Sequence, residues 1–320
     1  MPVSFSAVLE ARMLLRQYLP VTRLVAAPSL SQRSGAKVFL KLETDLPTGS
    51  FKPRGALYAL SVNLSRRKIS QVIASSTGNH GAAVAYAAKM LGVSARIFLP
   101  RNPNPVKRAR IADLGAEIVE DDGADLAEAF QRASAYATRE DVYFLNDATD
   151  PDLPAGPGTI ACEILEQQPD AEVIYVPMGD TALIRGVAAA AKHLSPSIRI
   201  LGVQAARAPS YYLSWKDGHA ISTATCNTIA DGLATRTPEE DNVREIQQLV
   251  DDVHLVSEEQ MLNAIRHLIF EERIVAEPAG AATAAALLQS GQRNETIVAL
   301  VTGSNISPEV LEDAVRNRLS

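Results

Sequence analysis

Ser50-Phe51-Lys52-Pro53-Arg54-Gly55-Ala56 places one lysine between small and rigid residues, directly after the turn residues Pro47-Thr48-Gly49. A lysine in a polar loop is ordinarily a solvated surface charge. The neighbours argue otherwise. Lys41-Leu42-Glu43 stands upstream, and the serine-rich, glycine-broken stretch Ser75-Ser76-Thr77-Gly78-Asn79-His80-Gly81 opens a helical pattern downstream. A nucleophilic lysine must be neutral at least part of the time, and a site out of bulk water lowers the cost of losing its proton. The pattern points to Lys52 as a lysine built for chemistry.

A chain of 320 residues is long for a single small core and suits the two domains of an enzyme. Its 47% hydrophobic and 21% charged content is that of an ordinary folded protein. The net charge of −6, with no basic run, argues against nucleic acid as the main partner. Residues 1–10 hold neither a basic segment nor an apolar one, and no apolar stretch approaches 18 residues, so a cytoplasmic location with no membrane partner is expected. Cys162 and Cys226 are far apart and form no C-x-x-C pair. A disulfide framework or a zinc site is therefore unsupported, and both read as buried small residues.

Short apolar runs alternate with longer helical patterns, the signature of a parallel α/β sheet. Strands are expected at 37–40, 71–74, 95–99, 117–119, 173–176, 199–203 and 296–301. Alanine-rich helices are expected at 82–91, 124–138, 183–193 and 280–288, alanine being the best helix former. Residues 70–147 repeat strand and helix in short regular units and read as a small inserted domain. Residues 1–69 with 148–320 make up the large one, and the Asp-, Pro- and Gly-rich stretch 147–158 is the return linker.

Taken together, Ser50 to Ala56 and Ser75 to Gly81 resemble the fold-type-II pyridoxal-phosphate enzymes (tryptophan synthase β-like), specifically the threonine dehydratase and serine racemase group. The resemblance implies two open twisted α/β domains with the cofactor in the cleft between them. It also implies that Lys52 is the catalytic lysine, which forms the Schiff base with pyridoxal 5'-phosphate and then removes the substrate Cα proton. Phe51 is placed near the cofactor ring. The loop Ser76, Thr77, Gly78, Asn79 and His80 precedes a helix, so its free N–H groups form an anion pocket. By resemblance this loop holds the substrate carboxylate, with Asn79 also reaching the cofactor's phenolic oxygen and His80 making a backbone contact rather than serving as an acid or base. The alternative for Asn79 is a simple helix cap.

Leu300-Val301-Thr302-Gly303-Ser304-Asn305 is similar to the family segment that faces the pyridine nitrogen, which assigns Thr302 to that atom. Glu277-Pro278-Ala279-Gly280-Ala281 and Asp231-Gly232 match segments near the cofactor, and for both acids helix capping is the competing role. The phosphate cup of the family carries four glycines. This chain has Gly179-Asp180-Thr181-Ala182-Leu183 there, so backbone N–H groups are expected to hold the phosphate while Asp180 turns away, to cap the next helix or pair with Arg185. The two carboxylates that bind a divalent cation in racemase-like members fall at Gln204 and Ser210, so no metal is expected.

The implied activity is β-elimination from a β-hydroxy-α-amino acid, with threonine or serine as the default substrate, giving a 2-oxo acid and ammonia. The residues leave three alternatives open: a dehydratase for a larger hydroxy amino acid (phenylserine, hydroxyaspartate or a hydroxyectoine catabolite), an amino-acid racemase using Thr77, or a cofactor-binding protein without turnover. A homodimer is expected.

Overall fold

The computed structural model describes residues 3–76, 78–120, 126–291 and 294–316. Its strands are β1 (Leu24–Ala26), β2 (Lys37–Leu42), β3 (Gln71–Ser75), β4 (Ser94–Phe98), β5 (Glu117–Val119), β6 (Val142–Phe144), β7 (Val173–Pro177), β8 (Arg199–Ala205), β9 (Asp252–Val256) and β10 (Thr296–Val301). They form two sheets. The larger has the order β1-β2-β10-β7-β8-β9, and the smaller β5-β4-β3-β6. Among these strands β1 pairs antiparallel with β2, and every other pairing is parallel.

Parallel strands need crossover helices, and helices on both faces bury the sheet from both sides. This explains the unbroken apolar run of β10. Ile297, Ala299 and Val301 face one core, with Val38, Leu40 and the helix Pro278–Gln289. Val298 and Leu300 face the other, with Ile174, Val176 and the helices Ala155–Gln167 and Ala182–Leu194. The smaller sheet divides likewise, with Val72 and Ala74 on one side and Ile73 on the other.

Two close approaches lock the helices behind the lysine loop. A Cβ on Gly156 would lie 2.2 Å from the Arg54 carbonyl oxygen, so the helices Pro53–Arg66 and Ala155–Gln167 touch backbone to backbone there. On Gly186 it would meet the Pro154 carbonyl oxygen at 2.0 Å, so the helix Ala182–Leu194 docks on the start of Ala155–Gln167 in the same way. The expected linker therefore ends early, because helix begins at Ala155. Cys162 is buried as expected, whereas Cys226 is only half-buried. Among the described residues no helix is long and apolar enough to cross a membrane.

Candidate active site

Ligands of open parallel sheets bind beyond the carboxyl ends of the strands, and here those ends converge. Ser76 follows β3, Asp147 lies just beyond β6, Gly179 follows β7, and Thr302 follows β10. Between them lies a cavity lined by residues that include Phe51, Lys52, Asn79, Gly179, Glu277 and Thr302. A second, more polar cavity shares Lys52, Asn79, His80, Asp147 and Asp180 with the first and adds Ser76, Lys107, Asp231 and Thr235.

Lys52 stands at the N-cap of the helix Pro53–Arg66, whose first residue is proline. That residue's fixed φ and missing N–H suit the first helical position. The Phe51 N–H donates to the Thr302 carbonyl at 3.0 Å, and Ser50 bridges to Gly303, so the lysine loop is stitched to the end of β10. The loop rests on a buried ion cluster. Arg54, 2% exposed, contacts Glu43 through Nε at 2.8 Å and Nη2 at 3.0 Å, and donates to Glu163 through Nη1 at 2.6 Å. Lys41 closes the cluster by donating to Glu163 at 2.6 Å and to the Thr22 carbonyl at 2.8 Å.

The Lys52 ammonium donates to Asp147 Oδ2 at 2.7 Å. Burial works against the lysine's charge, but Asp147 and, behind it, Asp180 together outweigh it and hold the pKa above the ordinary value. Burial alone would raise the Asp147 carboxyl; the His80 imidazole and the Lys52 ammonium hold it below the usual carboxylate range. His80 is buried, bonds the Leu145 carbonyl through Nε2 at 2.8 Å, and has Nδ1 3.9 Å from Asp147. Burial lowers its pKa, which favours the neutral ring.

On the facing wall, Gly179 is the position in its loop that no other residue can fill: a Cβ there would sit 2.3 Å from the Gly232 carbonyl oxygen. Thr181 follows in the left-handed region, with φ 69°, and its side chain does not cap the helix Ala182–Leu194. The first amides of that helix have no intrahelical acceptor, and Ala182 and Leu183 line the cavity. Asp180 departs from expectation. It does not cap the helix, and Arg185 pairs instead with Glu245 at 3.2 Å. The Asp180 carboxylate lines both cavities and accepts from the Thr235 hydroxyl at 2.8 Å. Burial first and Asp147 second push its pKa up to about 6.

Ser76 is spent on its own loop, accepting from the Gly78 amide at 2.9 Å and the Gly81 amide at 3.0 Å. Gly78, not Asn79, is the N-cap of the helix Asn79–Leu91. The Asn79 side chain instead donates to Glu277 Oε1 and accepts from Asn305 at 2.8 Å. Thr77 lies outside the described residues. Glu277 and Asp231 turn to Lys107 rather than capping: Lys107 Nζ is 3.0 Å from Glu277 Oε2 and 2.6 Å from Asp231 Oδ2. Gln204 accepts from the Tyr212 amide at 2.8 Å, and Ser210 donates to the Thr235 carbonyl at 2.6 Å.

Sequence reasoning missed Asp147, Lys107 and Thr235. Asp147 follows Val142–Phe144, a strand that the apolar pattern did not show. Lys107 and Thr235 carry no local signal, because their partners lie more than 50 residues away.

The chain is similar to known proteins over nearly its whole length. The family model described as pyridoxal-phosphate dependent enzyme matches residues 15–303. The chain is 32% identical over 318 residues to the L-threonine ammonia-lyase of Thermotoga maritima, covering 99% of this chain and 79% of the relative. It is 34% identical to the catabolic L-threonine dehydratase TdcB of Escherichia coli K12, covering 96% and 94%. Among solved structures, maize serine racemase superposes with a TM-score of 0.91 at 30% identity, covering 98% and 97%. The processed form of threonine deaminase isoform 2 from Solanum lycopersicum superposes with 0.90 at 30%, covering 97% and 92%. With that similarity running through nearly the whole sequence, and with the lysine loop and the strand-end threonine meeting in one cleft, the chain belongs to the pyridoxal-phosphate dependent enzyme family, in its fold-type-II form.

Proposed function

We propose that the protein is a pyridoxal-phosphate dependent ammonia-lyase that removes water and ammonia from a β-hydroxy-α-amino acid, threonine or serine by default. The observation that carries this reading is the placing of Lys52 in a cleft that also holds Asn79, Glu277, Thr302 and an uncapped helix N-terminus. The names of the relatives, L-threonine ammonia-lyase and L-threonine dehydratase, support it.

The residues present fit the cofactor. The free amides at Ala182 and Leu183, with the positive end of the helix dipole behind them, suit a phosphate. Gly179 leaves the room that a Cβ would fill. Thr302 brings a neutral hydroxyl to the cavity wall, and Phe51 and Leu183 supply apolar wall. When bound, the cofactor supplies an electron sink for the pair left by the Cα–H bond.

The chain's own groups supply position and proton transfer. Asp147 holds Lys52 Nζ as an ammonium, so Lys52 passes a proton to water before acting as nucleophile or base. Lys52 Nζ then takes the Cα proton and is placed to return it to the departing β-hydroxyl, which leaves as water. The enamino acid released hydrolyses to a 2-oxo acid and ammonia. Ser76 occupies the amides of Gly78 and Gly81, which leaves those of Asn79 and His80 for the substrate carboxylate. Neutral His80, fixed on Leu145, supports the loop and is not an acid in the reaction. Asn79, held by Glu277 and Asn305, keeps one orientation towards the cofactor.

The reading extends to a large domain of residues 1–69 and 148–320 with a small domain of 70–147, supported by the separate sheet that β3 to β6 form. It also extends to a cytoplasmic homodimer, to be checked by fractionation and sedimentation. The test of function is release of 2-oxo acid and ammonia from a panel of L- and D-β-hydroxy amino acids. Release from L-threonine or L-serine supports the reading; racemisation without release, or no turnover across the panel, contradicts it.

A further inference from the structure

The polar cavity is walled by three carboxylates, Asp147, Asp180 and Asp231, and by two lysines. Both lysines are committed. Lys52 pairs with Asp147, and Lys107 with Asp231 and Glu277. Asp180 is half-buried, and among the described residues no cation lies within ion-pair distance of it. Its hydrogen-bond partner is the neutral hydroxyl of Thr235 at 2.8 Å. A sheltered carboxylate without a cation is costly, and this one neither caps a helix nor ties two elements together by charge. Its surroundings add to the cost. Asp147 and Glu239 face it with like charge, and Tyr211 with none, against Lys52 as the nearest cationic influence.

The cavity that Asp180 lines continues directly from the one holding Lys52, since both share Lys52, Asn79, His80, Asp147 and Asp180. A substrate whose α-carbon is at Lys52 has room to extend its side chain towards Asp180 and Thr235. For threonine that end is a methyl group set against a carboxylate, which gains nothing. A terminal ammonium would gain a charge-assisted hydrogen bond and supply the missing counter-charge. We propose, resting on the ammonia-lyase reading above, that Asp180 with Thr235 is a specificity-determining pair that selects β-hydroxy-α-amino acids whose side chain ends in a cation.

Two matched pairs isolate that cation: threonine against 4-aminothreonine, and 3-hydroxynorvaline against 3-hydroxyornithine. Each pair differs only by the terminal amine. Holoenzyme kcat/KM should favour the aminated member of at least one pair tenfold or more, and Asp180→Asn should bring that ratio close to one. A readout without turnover accompanies it. Calorimetry on the holoenzyme should show 2,4-diaminobutanoate, which has no β-hydroxyl to lose, binding at least tenfold tighter than 2-aminobutanoate. Parity within both pairs in the wild-type protein overturns the proposal while leaving the ammonia-lyase reading standing. A preference that survives Asp180→Asn overturns the assignment to Asp180. Ammonia from none of the four hydroxy amino acids overturns both readings together.

Discussion

Lys107 Nζ lies 3.0 Å from Glu277 Oε2, and through that contact a helix beside the small sheet is tied to the start of the helix Pro278–Gln289 beside the large one. Glu277 in turn accepts from Asn79, so one lysine on the helix Pro105–Asp113 fixes the asparagine of the cleft. Lys107 is 2% exposed, and its methylene stem packs where a Cβ on Gly78 would clash, 2.2 Å away. Lys107→Met keeps the stem and removes the charge, stranding Glu277 and Asp231. The expected loss is about 3 kcal/mol or more at pH 8. Burial already holds the Glu277 pKa above the ordinary value, and loss of the lysine raises it further. Protonation then relieves the variant as pH falls, so urea titrations at pH 8 and pH 5 should show a smaller deficit at pH 5. An equal deficit at both would contradict the electrostatic account.

Arg54 shares its guanidinium between Glu43 and Glu163, beneath the lysine loop. Arg54→Met leaves two buried carboxylates with Lys41 as their remaining cation and should cost about 3–5 kcal/mol, read as a lower denaturant midpoint at unchanged m-value. Arg54→Lys should recover only part of this, because an ammonium cannot serve both carboxylates with the planar fork. Full rescue by lysine would show that charge, not geometry, is what the loop requires.

Asp180 sets a pH dependence of stability. Its folded pKa, about 6, exceeds the unfolded value of roughly 3.9. Between those values the folded protein keeps a proton that the unfolded chain has lost, so stability falls as pH rises through the window, and the deficit is complete above it. Asp180→Asn removes the deficit. Allowing for the residue's partial exposure, the variant should be more stable than wild type by about 1–2 kcal/mol at pH 7.5 and equal to it near pH 4. A gain of the same size at both pH values would contradict the titration argument.

Gln204 and Ser210 offer neutral oxygens, and each is engaged, one with the Tyr212 amide and the other with the Thr235 carbonyl. Hard divalent cations need carboxylates to displace their water. Turnover after exhaustive chelation should therefore stay within about twofold of the untreated enzyme and gain nothing from added Mg²⁺ or Ca²⁺ at constant monovalent salt. Severalfold activation by either ion would contradict this.

Much of this arrangement was legible in the sequence, because parallel strands buried on both faces read as plain apolar runs. Glu117–Val119 and Thr296–Val301 fall where the pattern put them. The strands that escaped notice are Leu24–Ala26, Val142–Phe144 and Asp252–Val256. All three lie at sheet edges, where a short or half-polar strand needs only one neighbour. Lys52, Asn79, Glu277 and Thr302 line one cavity, and each sits in a motif of consecutive residues that the sequence displays. The orientation of Asp180 was not legible, since it is set by Thr235, 55 positions on, and no local pattern carries such a partner.

The central claim is that Lys52 is the cofactor-bearing lysine. Borohydride reduction of the pyridoxal-phosphate-loaded protein, followed by peptide mapping, tests it most directly. The label should fall on the peptide holding Lys52, and Lys52→Ala should lose the label, the visible absorbance and turnover while keeping wild-type circular dichroism. A label on the peptide of Lys107 or Lys41, or wild-type turnover in Lys52→Ala, would contradict the account.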